Sequence, residues 1–310
     1  MKKILITGGA GNIGSALASA LVQLPETSVV IVDNLVTGTV SKIPLEYKNL
    51  VFIKADANSY HDMAAIMLSH RFDCIFHYAA LVGVKRTLDN PIMVLKDIQG
   101  IQNILELAKN TGVKRVYFSS SSEVYGEPVE FPQNEITTPL NSRLPYAIVK
   151  NVCEAYLKSY YKEYGLNYTI FRFFNTYGPN QSTDFVIPRF LQKALKNEDI
   201  SIYGNGSQTR TFCYINDNIE LTTKTFLNDL CINETVNVGS DKEITILELA
   251  RQIVKTTGSK SKIIHLPPLE EGDMTRRLPD INKMRKILNR ELTTLEQGLP
   301  MLSKFIPVEN

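Results

Sequence analysis

The sequence predicts an α/β fold, a doubly wound parallel sheet with a smaller C-terminal region. Three observations carry this. Apolar runs of strand length recur, they alternate with helical patterns through the first half, and the rhythm changes after Asn175. The 310 residues, 44% hydrophobic, suffice to bury a sizeable core as one large domain or two smaller ones.

The strand readings are KILIT (3–7), SVVIVD (28–33), VFIKAD (51–56), FDCIFHY (72–78), VKRVYFSS (113–120), NYTIFRFF (167–174) and ETVNVG (234–239). They are apolar on both faces, as in a parallel sheet covered by helices. Helical patterns lie between them at about 12–24, 59–70, 90–110 and 144–163, with Pro91 suited to a first helical turn. Beyond Asn175, YGPNQ is turn chemistry, DFVIPRFLQKALKN a short helix and SIYGNGSQTR a hairpin-like loop. Thr245 and Glu248 have capping-box spacing ahead of the helical run ELARQIVKTT. LPPLEEGDMTRRLPD reads as a Pro-rich loop within a tail that holds two more helical patterns. Residues 1–175, joined by about 212–239, are expected to form one domain. About 176–211 and 240–310 form a smaller region at the C-terminal edge of the sheet. ETVNVG returns to the large sheet, so the two interleave. No internal repeat or low-complexity linker is visible.

Net charge is +2 with no long single-sign run, which gives no support for a nucleic-acid or polybasic membrane surface. Cys74, Cys153, Cys213 and Cys231 are widely spaced, and no CxxC or HxxxH occurs. Reduced thiols in or near a core are expected rather than a metal site or disulfide framework. The opening MKKILIT is broken by GGAGN, so it reads as neither signal peptide nor membrane span. A soluble cytoplasmic protein is the expectation.

ITGGAGNIGSAL places Gly8, Gly11 and Gly14 between the first strand and a helix. Glycines there permit a tight turn and let backbone N–H groups approach a pyrophosphate at the positive helix end, the signature of a Rossmann-like dinucleotide site. The second strand ends in Asp33, nineteen residues past Gly14. A carboxylate there accepts both ribose hydroxyls and repels a 2′-phosphate. No Arg or Lys lies between Asp33 and Lys42, so NAD is favoured over NADP. Asp56, ending the third strand, suits either the adenine or a strand-end cap.

Tyr146 and Lys150, in PYAIVK, are four apart and share one helix face. A lysine and a cationic nicotinamide beside a phenol favour phenolate. Moving a tyrosine pKa from about 10 to about 7 takes roughly 4 kcal/mol of differential stabilisation. A phenolate takes a hydroxyl proton as hydride leaves the same carbon, and a hydroxyl of the serine run SSSSEVYG can share that hydrogen bond.

TGGAGNIG, DNLVTG, HYAA, SSSSEVYG, PYAIVK, RFFNTYGP, YGNGSQTRTFCYIND and RRLPDI, in that order along the whole chain, resemble the extended short-chain dehydrogenase/reductase family. The likeness is to its nucleotide-sugar epimerase/dehydratase/decarboxylase branch. The resemblance implies that NAD stays bound and transiently oxidises C4 of a nucleotide-activated sugar. It assigns catalysis to Ser121, Tyr146 and Lys150. It assigns the cofactor to Gly8, Gly11, Asn12, Ile13, Gly14, Asp33, Asn34, Asp56, Ala79 and Ala80, beside Tyr146 and Lys150. Ser121, Ser122, Asn175, Arg210 and Arg277 fall at substrate-binding positions.

Glu123 divides the reactions within the branch. Beside a C4 ketone, a carboxylate can pull the C5 proton or assist loss of a C6 carboxylate. Plain 4-epimerases need no such group. Ser122-Glu123 is similar to the pair in UDP-glucuronate decarboxylases and GDP-mannose 4,6-dehydratases. A solvated turn carboxylate or cap partner is the structural alternative. Arg277, three residues before Asp280, has the register of the arginine that reaches the sugar in the decarboxylases. A guanidinium there equally suits the diphosphate common to the branch. PYAIVK and HYAALVGVKRTLDNP look more like 4-epimerases or dehydratases. The expected function is therefore C4 oxidation followed by Glu123-assisted decarboxylation or 4,6-dehydration, with reversible 4-epimerisation as the alternative and a silent NAD sensor as a lesser one. The resemblance also implies a homodimer through the helices at 90–110 and 144–163.

Overall fold

A computed structural model describes residues 1–267 and 276–305; most of the expected Pro-rich loop lies outside the described residues. The main sheet is built from β1 (Lys2–Thr7), β2 (Thr27–Asp33), β3 (Leu50–Lys54), β4 (Cys74–His77), β5 (Arg115–Ser121) and β6 (Asn167–Phe173). Four short strands follow: β7 (Thr176–Tyr177), β8 (Ile200–Tyr203), β9 (Thr209–Thr211) and β10 (Cys213–Tyr214). The chain then returns with β11 (Glu234–Val238) and ends its strands with β12 (Glu243–Thr245) and β13 (Ile263–Leu266). The sheet order is β11-β6-β5-β4-β1-β2-β3, parallel throughout. The return of ETVNVG to the large sheet is thus present, as an edge strand registered Val236 to Phe171.

The helices are α1 (Asn12–Leu21), α2 (Tyr60–His70), α3 (Val84–Asp89), α4 (Pro91–Leu95), α5 (Asp97–Thr111), α6 (Pro145–Tyr164), α7 (Val186–Leu195), α8 (Ile215–Leu227), α9 (Ile246–Thr257), α10 (Asn282–Leu288) and α11 (Leu295–Ser303). Continuous apolar strands demand cover on both faces, and strand alternation sorts their side chains. Ile4, Ile6, Val29 and Ile31 join one core with Leu17 and Leu21 of α1 and Leu221 of α8. Leu5, Val30 and Val32 join the other with Met63 of α2, Ile104 of α5 and Leu157 of α6.

Two local readings are corrected. The 90–110 pattern is two helices meeting at Lys96, with Pro91 opening the first. The Asp97 carboxylate accepts N–H groups from Leu81 (2.7 Å) and Asn58 (3.2 Å), which fixes the start of α5 against the sheet. SIYGNGSQTR is not a hairpin: β8 pairs in parallel with β13, and β9 antiparallel with β12. Ile200 and Ile202 are buried against later elements, so tertiary packing rather than the local turn chooses the partner. The capping box at Thr245 and Glu248 forms as read.

All four cysteines are free thiols, and no grouping of metal-ligating side chains occurs among the described residues. No helix among them is long and apolar enough to cross a membrane.

Candidate active site

From β1 the chain builds outward to β2 and β3, then returns to β4 on the other flank of β1. The carboxyl ends of β1 and β4 therefore border the crevice where parallel sheets of this kind bind ligands. The turn after β1 is pressed against the end of β4. Gly8 has φ +73°, and a Cβ on it would lie 2.6 Å from Ala79 N. A Cβ on Gly14 would lie 2.3 Å from Gly8 O, so α1 packs directly on the turn. Gly11 caps α1 without a side chain, and the first turn carries no acidic residue. These N–H groups and the helix dipole suit a pyrophosphate. Asn12 Oδ1 is buried without a hydrogen-bond partner in the same turn.

At the end of β2, the buried Asp33 accepts N–H groups from Ala10 (3.0 Å) and Leu35 (2.8 Å). Its carboxylate is thereby held at the cleft wall, with Ile13, Asn34, Ala79 and Ala80 also lining that cleft. The cradle fits a dinucleotide with free ribose hydroxyls. Asp33→Asn keeps the shape and removes the charge. The expected result is about tenfold weaker NAD binding, with less discrimination against NADP, read by fluorescence titration of both.

The same cleft, about 360 Å³, reaches the chemical residues. β5 ends at Ser121, whose Oγ accepts the Glu123 N–H (3.2 Å) and starts a 3₁₀ turn over Ser122–Tyr125. Pro145 opens α6, placing Tyr146 in the first turn and Lys150 one turn later on the same face. The buried Lys150 Nζ donates to Ser119 O at 2.7 Å and lies 5.7 Å from the Tyr146 ring centre. Burial lowers the Lys150 ammonium. Burial, then the Glu123 carboxylate, push the Tyr146 phenol above its ordinary value, against easing contributions from Ser121 and Arg277. The lowered phenol expected from the sequence requires the cationic nicotinamide as well as the lysine, and burial dominates in the protein alone.

Glu123 is no freely solvated turn carboxylate. Its Oε1 pairs with Arg277 Nη1 at 2.7 Å, and the same nitrogen donates to Ser122 Oγ at 3.3 Å. Arg277 is buried and lines the cleft. Its segment is pinned to Gln133 by backbone bonds from Gln133 N to Leu278 O (2.7 Å) and from Asp280 N to Gln133 O (2.8 Å).

Asn175 lines the cleft, its amide donating to Thr211 O at 3.1 Å. Two assigned residues do not line that cleft. Asp56 Oδ1 accepts the Asn58 N–H at 2.9 Å, so it caps its own turn, and it lines a second cavity. Arg210 sits on β9, donates to Thr209 O at 2.7 Å, and is not among the residues lining the main cleft. Its strand pairs with β12, Arg210 lying opposite Ile244. Sequence reasoning missed Leu81, Val82 and Gly83 in the cleft wall; the glycine, at φ +107°, was the available signal. It also missed Glu154 behind the site, although Glu154 follows Lys150 by one helical turn.

A parallel sheet with a dinucleotide cradle at its switch point, and Ser121, Tyr146 and Lys150 lining the same cleft, is the architecture of a dinucleotide-dependent enzyme. A profile of the NAD dependent epimerase/dehydratase family matches residues 4–239, and the chain belongs to that family. Its cofactor is NAD. The chain is 35% identical to UDP-N-acetyl-alpha-D-glucosaminuronate decarboxylase of Bacillus cytotoxicus, over 100% of this chain and 99% of that protein. It is 33% identical to a putative UDP-glucose 4-epimerase of Methanocaldococcus jannaschii, over 99% of each. Among solved structures, UDP-glucose 4-epimerase of Thermotoga maritima with UDP-glucose superposes with a TM-score of 0.92 at 32% identity, covering 98% of each chain.

Proposed function

We propose that this enzyme oxidises C4 of a nucleotide-activated hexuronate and then releases the C6 carboxylate as carbon dioxide. The observation that carries the reading is the Glu123–Arg277 pair, held in the cleft on the Tyr146 side. An arginine there suits a substrate carboxylate, which its fork can hold bidentately. Tyr146 takes the C4 hydroxyl proton, with the Ser121 hydroxyl sharing the hydrogen bond and Lys150 fixing the helix face on Ser119 O. NAD, when bound, supplies the reversible hydride acceptance that turns the C4 alcohol into a ketone. The C6 carboxylate is then β to that ketone. The C5–C6 bond breaks, its electron pair passes to the C4 oxygen as an enolate, carbon dioxide leaves, a proton returns to C5, and the C4 ketone regains hydride and proton to become the alcohol again, so no net redox change remains. Glu123 assists by like charge: a carboxylate beside it is relieved on leaving as a neutral molecule. Asn175, Ser122 and Arg210 belong to the nucleotide-sugar side in this reading, and of these Arg210 lies in the smaller region of about 176–211 and 240–310. A homodimer through α5 and α6 belongs to it too, with Ile148, Tyr161 and Tyr164 exposed on α6.

The likeness to the Bacillus cytotoxicus decarboxylase supports the hexuronate. PYAIVK, HYAALVGVK and the likeness to the Thermotoga maritima epimerase favour 4-epimerisation as the second reading. Incubation with UDP-glucuronate, UDP-N-acetylglucosaminuronate and UDP-glucose, read by mass spectrometry, separates them. Loss of carbon dioxide is expected. Loss of water, or unchanged mass at a new retention time, overturns the decarboxylase reading. Glu123→Gln is expected to lower carbon dioxide release about a hundredfold; an unaffected rate means that Glu123 is idle.

A further inference from the structure

Arg277 reaches the cleft from a segment that is held on both sides of it. Downstream, the Gln133 backbone bonds Leu278 and Asp280, and the Asn134 and Asn237 amides donate to Asp280 Oδ2 (3.0 Å) and Asp280 O (3.2 Å). On the other side stands Arg276. Its guanidinium lies 4.2 Å from the ring centre of Phe131, two residues before Gln133. The same guanidinium meets Glu243 of β12 in a two-pronged bond, Nε to Oε1 at 2.7 Å and Nη2 to Oε2 at 2.6 Å. Glu243 Oε1 also accepts the Thr209 hydroxyl of β9 at 3.0 Å. Arg276 therefore ties together the Phe131 loop, β12 and the Arg277 segment. The Arg276 and Glu243 side chains are 42% and 23% exposed. An ion pair that open to water usually contributes little, but a bidentate pair whose cation also rests on an aromatic face is the geometry that does contribute. Neither residue is among those lining the main cleft, whereas Arg277 is.

We infer that Arg276 is a positioning residue: clamped between Phe131 and Glu243, it sets the backbone from which Arg277 reaches the C6 carboxylate of the substrate, and so favours hexuronates over neutral hexoses. The inference rests on the reading of Arg277 as the partner of that carboxylate. The two residues share a peptide bond, so looseness at Arg276 is looseness at the base of the Arg277 side chain. A guanidinium and a carboxylate make two parallel bonds only when the fork is aimed in the carboxylate plane. A neutral C6 hydroxyl offers no such two-pronged bond and is less sensitive to the aim.

Arg276→Met keeps an apolar stem over Phe131 and removes the guanidinium. It is expected to weaken UDP-glucuronate binding about fivefold while UDP-glucose keeps its affinity, both read by isothermal titration of the NAD-loaded enzyme. Glu243→Gln weakens the clamp from its other side and is expected to move the ratio of the two affinities the same way; it carries the test if the Met variant folds poorly. Arg276→Lys, which keeps a cation for both partners but not the fork, should recover part of the loss. An unchanged ratio, with or without a lower Tm, overturns the inference, because a purely structural brace would weaken both ligands alike or neither. Arg277→Ala runs alongside. If it leaves the ratio unchanged, Arg277 does not hold the carboxylate, and that reading fails together with this one. If it removes the preference while Arg276→Met and Glu243→Gln leave it intact, the role of Arg276 alone fails.

Discussion

Tyr146→Phe is expected to lower kcat about a thousandfold while leaving Tm and NAD binding near those of the parent. The ring packs against the second apolar core, and Phe keeps that contact. Only the hydroxyl goes, and with it the one phenolic group set between Ser121, Glu123 and Arg277 in the cleft. A thousandfold is about 4 kcal/mol in activation free energy, larger than any binding change expected from one lost hydrogen bond. The electrostatics make the prediction sharper. In the protein alone, burial and Glu123 hold the phenol above its ordinary value. A neutral phenol is a poor base at neutral pH, so the site works only when positive charge accompanies the filled cleft. Activity in the parent should therefore fall on the acid side of its profile. Tyr146→Phe should leave a low rate with that limb absent. A variant retaining more than a tenth of parental kcat would remove Tyr146 from the base role. Stopped-flow absorbance of reduced nicotinamide tests the step directly.

The sheet was legible because its strands are apolar on both faces. Ile4, Leu5 and Ile6 fill both cores from three consecutive positions, a pattern that a half-exposed strand cannot show. The cradle was legible for a different reason. Gly8 and Gly14 sit where backbone meets backbone, and no other residue fits there. What the sequence hid depends on distant contacts. The partners of β8 and β9 come from β13 and β12, well along the chain, so the local turn signal at Gly204 and Gly206 misled. Asp56 and Arg210 also make local contacts that no sequence pattern shows: Asp56 Oδ1 accepts the Asn58 N–H, and Arg210 donates to Thr209 O. Glu123 and Arg277 are 154 positions apart, and only the resemblance linked them before the fold brought them together at 2.7 Å. The raising of the Tyr146 phenol by burial in the protein alone was hidden, because burial is a property of the packed site, not of a Tyr-Lys spacing.

Arg172→Met is expected to destabilise the protein by about 3–5 kcal/mol, measured by denaturant unfolding. Arg172 and Glu154 have side-chain exposures of 2% and 1% and meet in a two-pronged bond, Nε to Oε1 at 2.9 Å and Nη2 to Oε2 at 2.7 Å. Burial would lower the guanidinium, but hydrogen bonds and charge from Glu154 outweigh it and hold Arg172 above its ordinary value. Removing the arginine leaves Glu154 with the Ser120 hydroxyl (2.6 Å) and a distant Lys158 (3.8 Å). A buried carboxylate without its cation costs more than the pair contributes over apolar residues of similar volume. The double variant Arg172→Met with Glu154→Leu should therefore recover most of the loss, and the cycle isolates the coupling. Failure of the double variant to recover would mean that the pair chiefly holds its other partners. Arg172 also donates to the Tyr125 hydroxyl (2.8 Å), which donates to Asn237 Oδ1 (2.8 Å) on β11. Ser120 precedes Ser121, Tyr125 closes the turn that carries Glu123, and Glu154 is one turn beyond Lys150. The network therefore braces the three elements that carry the chemistry. The double variant, even when refolded to near-parental stability, should retain a lowered kcat with little change in KM, because its apolar pair restores the packing but not the hydrogen bonds that aim those elements.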